Sequence, residues 1–281
     1  MPSPLRPPVA LPELEPPVDE SFAVLFEDDA VAVVAKSGNL PCHPGGRYRE
    51  HTLAHLLAGR AGFADLHWVN RLDRETSGTV VVAKTAEAAS PLGRALMRGR
   101  FAKRYLAIVE CGGVWTLPQA ESGAWATVPG TLYPARGCGV RKMRLFVPEG
   151  ESPPAPDSGA PIVPTGAGQR CETRFRLAGR RGDFALIEAE PVTGRVHQIR
   201  ATLRALGLRV VGDKLYGPDP GIYARLCDDA LTDADRAALL LPRQALHASS
   251  IAFPHPFTGE TIRAEAARPP DMAGFWAGAC G

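Results

Sequence analysis

The chain has no long apolar run. No stretch approaches the roughly 20 consecutive apolar residues that a membrane-spanning helix requires, although 45% of the 281 residues are hydrophobic, which is enough for a soluble core. The proline-rich N-terminus also lacks the apolar middle of a signal peptide. We therefore expect a cytoplasmic protein without a membrane partner. Residues 1–20 are expected to form a disordered, Pro-rich tail.

Closely spaced cysteines are also missing. None of the six cysteines forms a C-x-x-C pair, which argues against a zinc ribbon and a redox dithiol and favours reduced thiols. His51 and His55 lie four residues apart, the first just before and the second within a predicted helix over residues 52–57, but the glutamate of an H-E-x-x-H site is absent. We expect no metal and no cofactor. A metal-dependent hydrolase using His51, His55 and Asp73 is a competing hypothesis that a metal-content measurement would distinguish.

A global excess of positive charge is absent, because the net charge is only +2. The cations are nevertheless clustered and mostly arginine, which suits phosphate contacts and stacking on bases. Each cluster fits a solvated protein face as well as an RNA-binding groove. The two clusters are Arg94, Arg98, Arg100, Lys103 and Arg104, and Arg170, Arg174, Arg176, Arg180 and Arg181.

The most informative segment places one carboxylate, Asp73, between Arg71 and Arg74. A Thr-Ser-Gly turn follows and leads into the β-branched run of residues 79–83, which predicts a buried strand. Flanking guanidinium groups favour an ionised carboxylate, so we expect them to lower the pKa of Asp73. An ionised aspartate on rigid backbone suits a nucleophile. A surface ion-pair cluster would give the same pattern.

A second segment, residues 193–206, has the period of a helix that begins after a strand. One stripe is apolar and predicts burial, and the neighbouring stripe is polar and basic, so it can face a cleft. A solvent-exposed basic face is the alternative. The apolar stripe is Val196, Ile199, Leu203 and Leu206, and the polar stripe is His197, Arg200 and Arg204.

A third segment, residues 101–110, alternates as a strand with one buried face formed by Tyr105, Ala107 and Val109. A lone tyrosine in such a strand is usually a core residue. Further along, the sequence predicts a helix over 86–99, a hairpin of strands 171–177 and 184–190, and a helix with a capping box at residues 232–235.

Together the three segments resemble the motifs of the RluA family of RNA pseudouridine synthases. R-L-D-x-x-T-S-G lies at 71–78, K-x-Y-x-A-x-V at 103–109 and T-G-R-x-H-Q-I-R at 193–200. Shorter segments also resemble the family in order: L-P-C-H-P-G at 40–45, G-D-K-L-Y-G at 212–217, L-H-A at 246–248 and H-P-F-T-G-E at 255–260. One departure is Asn70, where the family usually has histidine; asparagine can keep a structural hydrogen bond but cannot titrate.

The resemblance implies an enzyme that isomerises uridine in rRNA or tRNA to pseudouridine, with RNA as its partner and no redox cofactor. It implies an α+β fold, in which a central, mostly antiparallel sheet carries an RNA-binding cleft. It also implies that Asp73 is the nucleophile, that Arg200 pairs with it, and that Tyr105 stacks on the base and is a candidate for proton transfer. The residues expected to contact RNA are Arg71, Arg74, Lys103, Arg195, His197, Gln198 and Val211, with Val210 as an alternative to Val211.

We expect one catalytic domain over residues 21–270, a C-terminal tail over 271–281, and a monomer. The prolines of residues 149–168 make a packed element there unfavourable and predict a flexible insertion. Too few residues precede Val24 for the S4 RNA-binding domain of many family members. A non-catalytic RNA-binding protein with the same fold is a second hypothesis, but the joint presence of Asp73, Tyr105 and Arg200 argues against it.

Overall fold

A computed structural model describes residues 15–60, 62–63, 65–112, 123–137, 143–155, 158–219 and 221–278. The strands are β1 (Phe22–Glu27), β2 (Val31–Lys36), β3 (His67–Trp68), β4 (Ser77–Ala83), β5 (Ala102–Glu110), β6 (Ala126–Gly137), β7 (Arg144–Pro148), β8 (Ile162–Pro164), β9 (Gln169–Arg181), β10 (Phe184–Pro191), β11 (Arg209–Val210), β12 (Leu246–Pro254) and β13 (Thr261–Glu265). The helices are α1 (Leu53–Ala58), α2 (Ala86–Met97), α3 (Gln198–Ala205), α4 (Ile222–Cys227), α5 (Asp233–Leu239) and α6 (Pro270–Gly278).

The strands form one sheet with the order β1-β2-β4-β12-β5-β10-β9-β6-β7. The pairs are antiparallel except that of β12 with β4, which is parallel. Strand β12 lies between β4 and β5 in the sheet, although it comes far later than both in the sequence. The α+β class and the mostly antiparallel central sheet expected from the sequence are therefore confirmed.

Strands β2 and β4 are valine-rich because both of their faces are covered, as a continuous apolar run predicts. On one face, Val33 and Val81 pack with Leu92 of α2. On the other, Val34 and Val80 belong to a cluster with the apolar side chains of α1. Nearly every residue of β2 and β4 is therefore buried.

Several local predictions are confirmed. Helix α2 begins after Thr85, whose side chain accepts a hydrogen bond from the Ala88 N–H, and it contains Pro91 in its first turns. Helix α5 has the expected capping box between Thr232 and Asp235. Strands β9 and β10 form the predicted hairpin, and both are longer than the pattern suggested.

Two described segments near the ends of the chain make contacts that were not expected. Residues 270–278 form helix α6, with Met272 fully buried, instead of a tail. The last residues of the predicted N-terminal tail also make contacts, since the Glu15 carboxylate accepts hydrogen bonds from the Arg49 and Glu50 N–H groups. Residues 1–14 lie outside the described part of the chain. None of the described helices is long and apolar enough to cross a membrane.

The Pro-rich segment 149–168 contains an element that its composition argued against. Strand β8 pairs with the end of β6, and Val163 is buried. Alternating exposure at this short strand lets one side chain reach the core, which a composition average cannot reveal. The flexibility of the rest of the segment stays a prediction.

Gly78 allows the close approach of β4 to β12, directly after the turn that carries Asp73. Its φ angle is 111°, and a Cβ atom there would lie 2.1 Å from the Ala248 carbonyl oxygen. Both the positive φ and the contact with rigid backbone require glycine at this position.

We predict that Gly78→Ala lowers the free energy of unfolding by about 3 kcal/mol, because strained backbone and overpacking each cost about 1–3 kcal/mol. Chemical denaturation measures the change. The matched control is Gly93→Ala in α2, where an added Cβ meets nothing within 4 Å and helix propensity favours alanine by up to about 1 kcal/mol. Equal stability of Gly78→Ala and the wild type would contradict this role of Gly78.

Candidate active site

A cleft of about 570 Å³ crosses the sheet where β4, β5 and α3 meet. The loop before β4 forms its floor, β5 and the segment before α3 form its walls, and the end of α2 forms its rim. Its polar lining includes Asn70, Arg71, Asp73, Lys103, Tyr105, Arg195, His197 and Arg200. Three segments that are widely separated in the sequence therefore meet in one concave site.

Backbone hydrogen bonds hold the Asp73 turn. The Thr76 N–H donates to the Asp73 carbonyl oxygen at 3.1 Å. The Asn70 Oδ1 accepts from the Val81 N–H at 2.7 Å, so Asn70 has a structural role that needs no titration. The buried Lys36 Nζ donates to the Arg74 carbonyl oxygen at 2.9 Å, and burial lowers the pKa of Lys36 to about 8.

Arg200 connects Asp73 to a second, fully buried carboxylate. Its Nη1 donates to Asp73 Oδ2 at 2.8 Å. Its Nε and Nη2 donate to the two oxygens of Asp213 at 2.7 and 2.8 Å. The guanidinium also lies over the Tyr216 ring, 5.1 Å from its centroid. One planar cation thus makes three charge-assisted hydrogen bonds, a geometry that lysine cannot reproduce.

The charges of this triad favour ionised carboxylates. Burial alone would raise the pKa of Asp73, but the guanidinium of Arg200 outweighs it and the pKa is lowered. The pKa of Asp213 is lowered in the same way, with help from the N–H groups of Leu215 and Tyr216. Because Asp213 is inaccessible and Asp73 faces the cleft, only Asp73 can meet a substrate.

His197 stands beside Asp73 as a neutral ring. Burial and the charge of Arg200 lower the pKa of His197 to about 4. Its Nδ1 lies 3.0 Å from the Tyr216 hydroxyl, and that hydroxyl oxygen already accepts from the Arg144 N–H at 2.8 Å. We therefore assign Tyr216 as the donor to Nδ1. In that tautomer the proton of His197 is on Nε2, 3.9 Å from Asp73 Oδ1.

Tyr105 and Lys103 project from β5 into the same cleft. Burial, and to a lesser degree the charge of Asp73, raise the pKa of Tyr105, so its hydroxyl stays protonated at neutral pH. Burial lowers the pKa of Lys103, and no carboxylate within the described residues pairs with it. The cleft thus combines an aromatic face, a cation and an ionised carboxylate.

The predicted lowering of the Asp73 pKa is confirmed, but the charge that contributes most to it is that of Arg200 and not of the flanking arginines. Arg74 turns away and pairs with Glu75 at 2.9 Å, and it does not line the cleft. Arg71 lines the cleft but is exposed, where solvent screens its charge. Arg200, distant in sequence, is instead the group that ionises Asp73. In a tight turn, neighbouring side chains point in different directions. Adjacency in the sequence therefore did not identify the arginine that pairs with Asp73.

Three further residues have surroundings that the sequence did not show. Gln198 lines the cleft, but its amide is used inside the protein: Oε1 accepts from Thr193 and the Arg195 N–H, and Nε2 donates to Thr173. Val211 lies in a core cluster away from the cleft. Val196, expected in the apolar stripe, is 44% exposed, because α3 begins only at Gln198.

The start of α3 explains that shift. His197 has a φ of 58°, a left-handed conformation that is uncommon outside glycine and asparagine and is often associated with function. This turn directs the His197 ring toward Asp73. Helical periodicity could not reveal the left-handed conformation of His197, because the helical pattern of the sequence continues through this residue.

Asp213 and Tyr216 complete the site, although sequence reasoning assigned them no role in it. The signal was the G-D-K-L-Y-G segment at 212–217, which places an aspartate three residues before a tyrosine in a tight turn. Among the described residues, no group of three His, Cys, Asp or Glu side chains could hold a metal ion. His51, part of the metal hypothesis, pairs with Glu20 instead.

Comparison with known proteins gives the fold a class. The structure resembles that of human RNA pseudouridylate synthase domain containing 1, with a TM-score of 0.65 at 22% identity, over 92% of this chain and 89% of that one. A second human protein, RNA pseudouridylate synthase domain containing 4, gives a TM-score of 0.63 at 22% identity, over 89% of this chain and 90% of that one. The fold is therefore that of a pseudouridylate synthase domain.

The sequence comparisons identify the family. The RNA pseudouridylate synthase profile matches residues 30–205. Ribosomal large subunit pseudouridine synthase D of Xanthomonas campestris pv. campestris is 33% identical over 91% of this chain and 69% of its own length. The mitochondrial tRNA pseudouridine(32) synthase of Saccharomyces cerevisiae is 32% identical over 73% of this chain and 39% of its own. The chain belongs to the RluA family of RNA pseudouridine synthases, which are isomerases.

We predict that Asp213→Asn lowers the free energy of unfolding at pH 7 by about 3 kcal/mol, because it breaks a buried ion pair. The pKa of Asp213 is lowered in the folded state, so its stabilisation is present above its unfolded pKa of about 3.9 and is lost as pH falls through the folded value. Denaturation of the variant should therefore lose part of the wild-type dependence on acid pH.

The matched control is Asp29→Asn in the exposed β1–β2 turn. It should change little in the free energy of unfolding at pH 7 and in the dependence of that free energy on acid pH. Parallel acid profiles of Asp213→Asn and the wild type would show that Asp213 is not the ionised anchor of Arg200.

Proposed function

We propose that this protein isomerises uridines of ribosomal or transfer RNA to pseudouridine, with Asp73 as its nucleophile. The observation that carries the proposal is the ionised Asp73 carboxylate, which is bound by Arg200 at 2.8 Å in a cleft that Tyr105 also lines. A carboxylate kept charged in a partly dry cleft is an activated nucleophile.

The substrate class is supported by the names of the relatives. Those at 33% and 32% identity are named for the ribosomal large subunit and for tRNA, respectively. Both RNAs bury uracil in stacked helices, so the target nucleotide has to leave the stack before its glycosidic bond can be reached. A cleft of about 570 Å³ is in the range of small-ligand sites and accepts one extruded nucleotide.

Three kinds of side chain would hold that nucleotide. The ring of Tyr105 offers a stacking face at the base of the cleft, as aromatic side chains do for unstacked bases. The exposed guanidinium groups of Arg71 and Arg195 line the entrance and suit the flanking phosphates. Lys103 adds a cation inside the cleft.

The reaction conserves atoms and oxidation state. The N1–C1′ bond of uridine breaks, the uracil turns, and a C5–C1′ bond forms. The proton on C5 then leaves to a base or to water, and the freed N1 takes up a proton, so the product has the same atoms as uridine. Asp73 forms a transient bond to the sugar or to the base ring and is released when the new bond forms. Arg200, fixed by Asp213, stabilises the carboxylate before the bond forms and after it breaks.

Two neighbours of Asp73 would support this chemistry without ionising. Neutral His197 presents Nε2–H toward the carboxylate and adds no competing charge. The protonated hydroxyl of Tyr105 is a donor to a uracil oxygen, and it can take the C5 proton only if it passes its own proton on. In this assignment His197 acts on the carboxylate of Asp73, whereas Tyr105 positions the base.

We predict that Asp73→Asn forms less than a few per cent of the wild-type pseudouridine while its melting temperature and RNA affinity stay close to wild type. The amide keeps the shape of the carboxylate but cannot act as an anionic nucleophile. Release of tritium from [5-³H]uridine-labelled rRNA and tRNA transcripts measures turnover. Substantial turnover by this variant would remove Asp73 from the nucleophilic role. No tritium release by the wild type would favour a non-catalytic RNA-binding protein.

We predict that Tyr105→Phe keeps RNA affinity within about twofold and slows the chemical step by about 10²-fold or more, since general acid–base groups contribute about 10²–10⁴-fold. Phenylalanine retains the stacking face, worth about 1–3 kcal/mol per base. Tyr105→Leu serves as the control and should lose affinity as well. If Tyr105→Phe turned over as fast as the wild type, the hydroxyl would have no part in proton transfer.

A further inference from the structure

A second groove adjoins the cleft on the far side of α2. It has a volume of about 320 Å³ and lies between the end of α2 and the β12–β13 turn. Arg94, Arg98 and Arg100 form one side, and Phe257 forms the other. Leu96 of the same helix lines the cleft, so the two depressions share one wall that is a single helix thick. We call this depression the α2 groove.

The arginines of the α2 groove are exposed and carry uncompensated charge. None of the three forms an ion pair with a carboxylate in the described part of the chain; Arg94 contacts only the Ser90 hydroxyl through its side chain. This differs from Arg225, which lies between two aspartates. Three such guanidinium groups on a protein of net charge +2 make a local site for phosphates.

Phe257 is held outward by a rigid turn. It is 61% exposed, although a phenylalanine normally gains from burial. The His255 Nδ1 accepts from the Phe257 and Thr258 N–H groups at 3.4 and 3.1 Å, and its Nε2 lies 3.0 Å from Asp28 Oδ2. The turn is thus held on both sides of the imidazole. The ring of Phe257 packs edge-on against the His255 ring, 6.0 Å between centroids, and most of its surface stays open to solvent.

An exposed aromatic ring opposite unpaired arginines is the chemistry of single-stranded nucleic acid binding, in which bases stack and phosphates pair with cations. We propose that the α2 groove binds the single-stranded RNA that flanks the target uridine, with a base on Phe257 and phosphates on Arg98 and Arg100. The proposal rests on the proposed function, because continuity with the cleft identifies which RNA is bound. An acidic protein segment would satisfy the arginines but would leave Phe257 unused.

The first test measures the affinity of a fluorescein-labelled 15-nucleotide oligouridylate for proteins in the Asp73→Asn background, which cannot turn the RNA over. We expect Arg98→Ala with Arg100→Ala to weaken binding at least tenfold. The slope of log affinity against log salt should fall by about 1.4, since each phosphate contact on a single strand contributes about 0.7. The matched control is Arg263→Ala. Arg263 is exposed and lies in β13, next to the β12–β13 turn but outside the groove, so its loss should change affinity less than twofold.

The second test separates stacking from charge. Phe257→Ala should weaken oligouridylate binding by about tenfold without changing the salt slope, whereas Phe257→Trp should restore it, because tryptophan keeps the stacking face. A 4-thiouridine in the oligonucleotide should cross-link to the 254–260 peptide. All variants are at exposed positions, and unchanged melting temperatures confirm that they fold.

Wild-type affinity and salt slope in the arginine and Phe257 variants would overturn the inference. If binding of a labelled polyglutamate peptide depended on the same arginines more strongly than binding of RNA, the groove would be a protein-binding surface and the inference would fail as well.

The proposed function is tested separately by tritium release from the wild type. Pseudouridine formation by the wild type, together with unaffected oligouridylate binding by the variants, would refute the groove alone. Weakened RNA binding by the variants, together with no pseudouridine formation by the wild type, would refute the function and leave the groove standing.

Discussion

Arg200 is the constraint on which the site depends, because one buried guanidinium must satisfy two carboxylates. Taking a cation out of water is unfavourable unless it is paired and hydrogen-bonded. The three hydrogen bonds of Arg200 to Asp73 and Asp213 form only when helix α3, the Asp213 turn and the Asp73 turn are all in place. The three segments can therefore hardly move independently. The same contacts that ionise Asp73 fix its position, so the electrostatics and the geometry of the site have one origin.

The groups around this triad are either uncharged or bound to the backbone, so none of them competes with Arg200 for Asp73. Gln198 uses its amide to connect the segment before α3 to β9. Tyr216 orients the His197 ring, and burial together with the charge of Arg200 keeps that ring neutral. Lys36, beneath the Asp73 turn, contributes a buried cation that binds backbone only. The result is a cleft in which one carboxylate is anionic and the phenol and imidazole remain uncharged.

The sequence predicted the parts of this arrangement that have a regular pattern. Alternation and valine content identified β4 and β5, and the motif resemblance linked Asp73, Tyr105 and Arg200 to one site. Prediction failed where direction matters, since Arg74 was expected beside Asp73 but pairs with Glu75. The RNA contact expected of Gln198 stays a prediction: the residue lines the cleft, but its amide is hydrogen-bonded within the protein. Val211 and helix α6 were misread because long-range packing, which no local pattern encodes, decides both.

The position of β12 has a consequence for how the protein is made. This strand joins the two halves of the sheet, yet some 160 residues separate its start from the end of β4, its parallel neighbour. Pairings between such distant segments form late, because loop closure has to precede them. During synthesis the halves that carry Asp73 and Tyr105 would remain unjoined until β12 had left the ribosome. Assembly of the cleft is thereby coupled to the presence of β12, which lies far along the chain from the strands that it joins.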